Sequence, residues 1–407
     1  MQLSIIESLI PDITETLLGL LCGQMESDQF ATWGDPEWKI ARVVAVIQGI
    51  APRLAAHADV FGQSDGGHGF SEFVLEQYHL NQLRNERMSG HLRQLLHLAH
   101  DRQIVLMPLK GADVLFSLYD DIALRPMADL DVFAPPAQFD AAAQLVRETG
   151  FDAIADITRH AMFALPPNRV VTLLGEHPDN PIKLELHHHI SDELGNRRYD
   201  LTDMLWKSAT QQSRSGDIKA HYPDRPAQMA HLLLHLSAHM LWRTSRFVSL
   251  YDLHLLIRRF TQEDWEQLQQ RLSTLGALWW TYPPLRMLNR YYHNDVPDAF
   301  LVAAGRALPT TSRQYFDRLS MTGASYCSVR SGALGHCLRW ALTPMDVLQF
   351  VRSLVAPSRE VLKDWNKSVA LLTSRMPAYK QHYVYRLLHL LKRRPYRTMC
   401  ERMFGSL

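Results

Sequence analysis

The spacing of apolar residues changes twice along this 407-residue chain, and those changes constrain its fold more than composition does. Up to about His100, apolar positions recur at helical spacing: Leu17, Leu18 and Leu21, then Ile40, Val43, Val44 and Ile47, then Leu92, Leu95 and Leu96. From Ile104, short apolar runs bounded by turn residues take over: IVLMP, DLDVF, FDAI, MFAL, RVVTLL and IKLELHHHI. After Tyr222 helical spacing returns, in MAHLLLHLSAHMLW, SLYDLHLLIRRF, MDVLQFVRSLV and YVYRLLHLLKRR. This predicts an α+β chain in three parts: a helical region over 1–103, an α/β core over 104–222 and a helical domain over 223–407. Within 104–190 the runs predict about five strands and two helices. The first helix is expected to break near Pro11. The glycine-rich stretch Gly62–Gly69 is read as a break before a helix opening near Ser71. It has no strand before it and no lysine after it, so it is not read as a phosphate loop.

Charge excludes some functions. Lys and Arg number 43 against 42 Asp and Glu, a net charge of +1. That balance exerts no global pull on nucleic acid or on an anionic membrane. Cys22, Cys327, Cys337 and Cys400 lie far apart with no CxxC pair, which argues against a disulfide framework or a zinc finger and for a reducing compartment. The N-terminal apolar stretch carries Glu7, Asp12 and Glu15 and lacks a basic start, unlike a signal peptide. No run of 18 uncharged apolar residues suggests a membrane span. The expected location is cytoplasmic.

The chemistry concentrates at the centre. On a strand, side chains alternate, so Asp129 and Asp131 share one face while Leu130 and Val132 take the other. Two carboxylates so close repel each other, and a divalent cation with hard oxygen ligands relieves the repulsion. In IKLELHH, Glu185 and His187 share a face. If that strand lies beside DLDVF, Glu185 joins the aspartates as a third carboxylate. Upstream, Lys110-Gly111-Ala112 follows a strand and opens a helix. There a glycine admits close backbone approach, and the helix N-terminus favours phosphate. Lys110 adds a full charge, and Arg125 is placed to hold a phosphate oxygen with both arms of its guanidinium.

These residues carry a resemblance. LKGADVLFSLYDDIALRPMADLDVFAP followed by IKLELHHHI resembles the bacterial nucleotidyltransferase-like family labelled "uncharacterised nucleotidyltransferase", a branch of the DNA polymerase beta-like superfamily. The match covers roughly residues 104–190, with a looser echo in the helices HLLLHLSAHMLW and FVSLYDLHLLIRRF. The resemblance implies a mixed sheet flanked by helices, with Mg²⁺ or Mn²⁺ as cofactor and an NTP, ATP first, as substrate. It implies that Asp129 and Asp131 hold the metals and that Glu185 is the third ligand, helping to activate the acceptor. Lys110, Gly111, Ala112 and Arg125 would then form the nucleotide-binding turn. Ala112 replaces the serine common in the superfamily, and the stretch from Gly111 to Asp129 is longer than in minimal members. The implied reaction moves an NMP from an NTP to a hydroxyl or phosphate of an acceptor (a small molecule, peptide or protein), in a biosynthetic tailoring role. The alternative is an antitoxin-like regulatory module that binds nucleotide and a partner protein without turnover. Nucleic acid and membrane are not expected partners.

Other residues are read as structural. Of His187, His188 and His189 only the first and third share a face, and His187 is expected to support Glu185. His231, His235 and His239 form one stripe of a helix, expected to pack against the core with no carboxylate nearby. Asp252, amid apolar neighbours, calls for a cationic partner, with Arg243 or Arg246 as candidates. Trp279-Trp280 is expected to fill a helix junction, and the basic run Leu390–Arg397 to be a solvated helix end.

Overall fold

The computed structural model describes residues 3–355 apart from 26, 65, 158–159, 173, 196, 215–217, 294–295 and 327–333. Cys327 and Cys337, the run YVYRLLHLLKRR and the basic C-terminal cluster therefore lie outside the residues whose packing is described.

The chain opens with helices α1 (Leu3–Leu21), α2 (Asp35–Gln48), α3 (Ala51–Leu54), α4 (Ala58–Gly62) and α5 (His68–Asp101). Contrary to expectation, α1 runs through Pro11. Ile10, Ile13, Leu17 and Leu18 are all buried on one side, and that packing outweighs the hydrogen bond a proline removes. α5 begins at His68 rather than Ser71 and continues unbroken for 34 residues.

The core follows as β1 (Met107–Leu109), α6 (Lys110–Leu118), β2 (Asp129–Phe133), α7 (Phe139–Glu148), β3 (Asp152–Ile157), β4 (His160–Ala164) and β5 (Lys183–His187). The five strands form one sheet in the order β1-β2-β5-β4-β3. Only β2 and β5 run parallel. Leu130, Val132, Leu184 and Leu186 point into an apolar core that α6 and α7 close with Leu115, Leu145 and Val146.

The expected strand RVVTLL does not form over its described residues. Val170 and Val171 are half exposed, and the Asn180 Oδ1 accepts from the backbone N–H groups of Val171 and Thr172 at 2.9 and 3.1 Å. A side chain thus takes the hydrogen bonds that a sheet partner would otherwise supply. This loop is fastened to α5 instead, where Arg84 donates to the Asn180 and Pro181 carbonyls at 2.8 and 3.1 Å.

After β5 come two hairpins, β6 (Ser191–Leu194) with β7 (Arg197–Asp200) and β8 (Thr210–Arg214) with β9 (Ile218–Tyr222), joined through α8 (Thr202–Ser208). Sequence patterning gave no sign of them, since TQQSR and SDEL lack an apolar alternation. Helices then dominate: α9 (Arg225–Leu241), α10 (Phe247–Ile257), α11 (Gln262–Thr274), α12 (Tyr282–Tyr291) and further helices to Val355.

The helices before and after the sheet bury one common core. Ile10, Phe61 and Phe70 belong to the same apolar cluster as Leu233, Leu250, Leu288 and Tyr326. Trp279 and Trp280 sit within it, and the Trp280 Nε1 donates to the Tyr199 hydroxyl at 2.9 Å. His336, 7 % exposed, faces the Met240 carbonyl at 3.0 Å and the Tyr315 hydroxyl at 2.5 Å. Burial, aided by Arg243, pulls its pKa down to about 4. The unfolded chain therefore takes up a proton below about pH 6.5 that the folded chain refuses, and stability attached to His336 is lost as pH falls. Exchanging His336 for glutamine removes that proton. From about pH 7.5 to about pH 5, denaturant melts should move the stability difference by about 2 kcal/mol in the variant's favour. A constant difference across that range would refute the buried neutral histidine.

Candidate active site

The site begins at the turn between β1 and α6. Leu109 is extended, and Lys110, the first residue of α6, takes a left-handed φ of 45°. Gly111 follows, with Arg125 lying against it: a Cβ added there would stand 2.8 Å from the Arg125 Nη1. Ala112 is fully buried beneath the sheet. α6 is pinned by Asp113, whose Oδ2 accepts from Gln228 Nε2 at 2.6 Å and which pairs with Arg214. Two later elements, β8 and α9, thus hold the helix that carries the turn.

Across from the turn stand the acids. The parallel register sets Asp131 beside Glu185 and Asp129 beside Lys183. Asp129, Asp131 and Glu185 consequently share the sheet face opposite Leu130, Val132 and Leu184. Lys110 reaches toward these acids. Its Nζ donates to Asp131 Oδ1 at 2.8 Å. His187 Nε2 lies 2.9 Å from that same oxygen and 3.5 Å from Glu185 Oε2, and His160 Nε2 lies 3.6 Å from Glu185 Oε2.

Charge divides unequally among the acids. Burial, then the neighbouring Asp131 and Glu185, hold the Asp129 carboxyl well above the ordinary range. Burial would raise Asp131 too, but Lys110 and the contact with His187 outweigh it and push it far down. Glu185 is likewise lowered, burial being overcome chiefly by His187. The mutual repulsion therefore settles on Asp129, the acid with the weakest cationic support.

Arg125 has a partner that sequence reasoning did not name. Its Nε and Nη2 donate to the two oxygens of Asp252 at 2.9 and 2.7 Å, so that edge of the guanidinium is taken by a carboxylate of α10, while Nη1 lies against Gly111. Asp252 also accepts from the Tyr119 hydroxyl at 2.8 Å. The expected partners of Asp252 are engaged elsewhere: Arg243 donates to the Gly323 carbonyl and Arg246 to those of Ile47 and Val46. The loop bearing Arg125 is shaped from behind by α5. Asn81 donates to the Ala123 carbonyl at 2.6 Å, and Asn85 to those of Ile122 and Arg125 at 2.5 and 2.8 Å. Because Asp252 anchors Arg125, a side chain at position 111 cannot simply push it aside. Gly111→Ala should therefore distort the turn itself and lower any nucleotide affinity there by about tenfold or more, read by titration with labelled NTP. Wild-type affinity in that variant would show the glycine to be incidental.

The family model described as "Uncharacterised nucleotidyltransferase" matches residues 35–293, more than half of the chain. The chain belongs to this nucleotidyltransferase family. No curated protein matches it. The match spans the turn, all three carboxylates, His187, Arg125 and Asp252, and it reaches back into α2 and forward beyond α12.

The donor set of this nucleotidyltransferase fits a divalent cation. Three carboxylates supply hard oxygen atoms, and their repulsion, expressed on Asp129, is what such an ion relieves. One described group of His and acidic side chains, His160, Glu185 and His187, has ligand atoms all within 4.8 Å of one another. His160 was not anticipated from the sequence, although HAMFA reads as a strand. Only its antiparallel pairing with β5, which sets His160 opposite His187, brings it in.

The histidine stripe of α9 likewise differs from expectation. An acid is present: Asp192 of β6 lies with Oδ1 3.3 Å from His235 Nδ1, and His235 and His239 approach at 3.1 Å between their Nε2 atoms. Burial drives His231 and His239 down to about 3, so both are neutral near pH 7. Lys110 adds to the lowering of each, which places the stripe within electrostatic range of the turn.

Proposed function

We propose that this chain transfers an NMP from an NTP to a hydroxyl or phosphate of an acceptor, with release of pyrophosphate. The observation that carries this reading is the register of β2 against β5, which brings Glu185 beside Asp131 on the face that also bears Asp129, in front of a lysine–glycine turn. Asp129, Asp131 and Glu185 would hold Mg²⁺ or Mn²⁺. Such an ion would neutralise the triphosphate and make the acceptor hydroxyl more acidic. The first-turn N–H groups of α6, from Gly111 and Ala112, have no intrahelical acceptor and suit a phosphate. Lys110 balances the carboxylates until substrate arrives, and Arg125 shapes the turn through Asp252. Glu185 is the side chain placed to take the acceptor proton. The helices on either side of the sheet supply the walls against which an acceptor (a small molecule, a peptide or a protein) would rest. ATP is the first nucleotide to try, and a tailoring step in a biosynthetic cluster is the context we favour.

The test is direct. The protein is incubated with labelled ATP, CTP, GTP and UTP and Mg²⁺ or Mn²⁺, and pyrophosphate release or self-labelling is followed. Wild-type turnover should vanish in Asp129→Ala and in Asp131→Ala. Turnover that survives both would overturn the proposal. Nucleotide binding without turnover in the wild type would transfer the case to a regulatory module.

A further inference from the structure

We propose that His160, Glu185 and His187 form a transition-metal site that takes Zn²⁺, or an ion of similar preference such as Co²⁺, ahead of Mg²⁺. The residues come from two antiparallel strands. His160 of β4 pairs with His187 of β5, and Glu185 stands two residues before His187 on the same strand face. Glu185 Oε2 is 3.6 Å from His160 Nε2 and 3.5 Å from His187 Nε2, and the two imidazole centroids are 4.8 Å apart. Ligand atoms held at about 2.1 Å around a tetrahedral ion stand about 3.4 Å from one another. Both measured edges are therefore within a few tenths of an ångström of that spacing with no ion present.

Donor chemistry separates this site from the carboxylate trio. Two imidazoles and one carboxylate select ions late in the first transition series, whereas Mg²⁺ prefers oxygen and keeps its waters. The side chains of His160, Glu185 and His187 are 11, 19 and 10 % exposed, which leaves the group reachable from solvent yet largely dry. His187 Nε2 now also contacts Asp131 Oδ1, so an ion on His187 would replace that contact and release Asp131 toward Lys110 and an incoming cation. Three ligands leave room for a fourth from water or substrate, as in catalytic rather than structural zinc sites. Binding follows from ligand geometry alone. Only its consequence, a cation on the shared Glu185 carboxylate, rests on the NMP-transfer reading.

The test uses the metal alone. Metal-free protein is titrated with Zn²⁺ by calorimetry in excess Mg²⁺, for wild type, His160→Gln and Asp129→Asn. We expect one Zn²⁺ per chain that Mg²⁺ does not displace, an affinity reduced more than about a hundredfold in His160→Gln, and little change in Asp129→Asn. Should His160→Gln fail to fold, the wild type still decides the matter. Zn²⁺ must shift the imidazole ¹⁵N resonances of His160 and His187, and Co²⁺ must show the intense visible bands of four-coordination. Zn²⁺ binding equal in wild type and His160→Gln, or silent imidazole resonances, overturns the site. Neither readout involves nucleotide, so loss of NTP turnover with intact Zn²⁺ binding would count against the transferase reading alone.

Discussion

Asp131→Asn should lower pyrophosphate release by at least about a hundredfold while leaving the far-ultraviolet dichroism of the fold intact. Asparagine keeps the shape of the side chain and removes its charge. Asp131 is the acid on which the site's cations converge, with Lys110 at 2.8 Å and His187 at 2.9 Å on one oxygen. It is also the acid held most firmly ionised, so it offers a charged oxygen to a cation at any physiological pH. Without it, Lys110 and His187 are left with Glu185 and Asp129, and the ion expected between the strands loses its strongest donor. Asp129→Asn acts differently. It removes the acid that carries the repulsion, so metal affinity should fall less than in Asp131→Asn. Equal activity in wild type and Asp131→Asn would remove the metal role from Asp131.

The second large effect concerns stability. Arg125 and Asp252 are almost wholly buried, with side chains 9 and 3 % exposed. Truncating Asp252 to alanine strands a guanidinium and the Tyr119 hydroxyl in the interior, at a cost of about 3–5 kcal/mol. For a chain this size that corresponds to a fall in Tm of about 5 °C. Replacing both partners, as Arg125→Met with Asp252→Leu, should cost clearly less than Asp252→Ala alone, because no charge is left unpaired. Calorimetric melts of the three proteins decide the point. A double variant as unstable as the single one would mean that the pair is not the cause. Activity gives a second readout: the double variant should fold and yet turn over poorly, since Arg125 no longer backs Gly111.

The alternation of Asp129, Leu130, Asp131 and Val132 is local, and so it was legible in the sequence. A strand must send those side chains to opposite faces whatever surrounds it. The lysine–glycine turn was legible for a similar reason. What escaped notice depends on contacts between distant positions. Arg125 meets Asp252 across 127 residues, and a nearby arginine on the same helical stretch looked the simpler partner for Asp252. His160 enters the site only through strand pairing, and Asp192 reaches His235 from a polar hairpin with no hydrophobic signature. Asn81 and Asn85, buried on α5, carry no local signal of their role, because the loop they hold reaches them only through the fold. RVVTLL had the composition of a strand but no sheet edge, and a single asparagine side chain capped its amides instead.

The proposed transfer requires one divalent cation and one triphosphate to meet between β2, β5 and the start of α6. A crystal structure of the complex with Mg²⁺ and a non-hydrolysable NTP analogue tests this most directly. The account predicts metal density bonded to Asp129, Asp131 and Glu185, with phosphate oxygens on the Gly111 and Ala112 amides. A triphosphate bound elsewhere, or a cation that leaves all three carboxylates untouched, would contradict it.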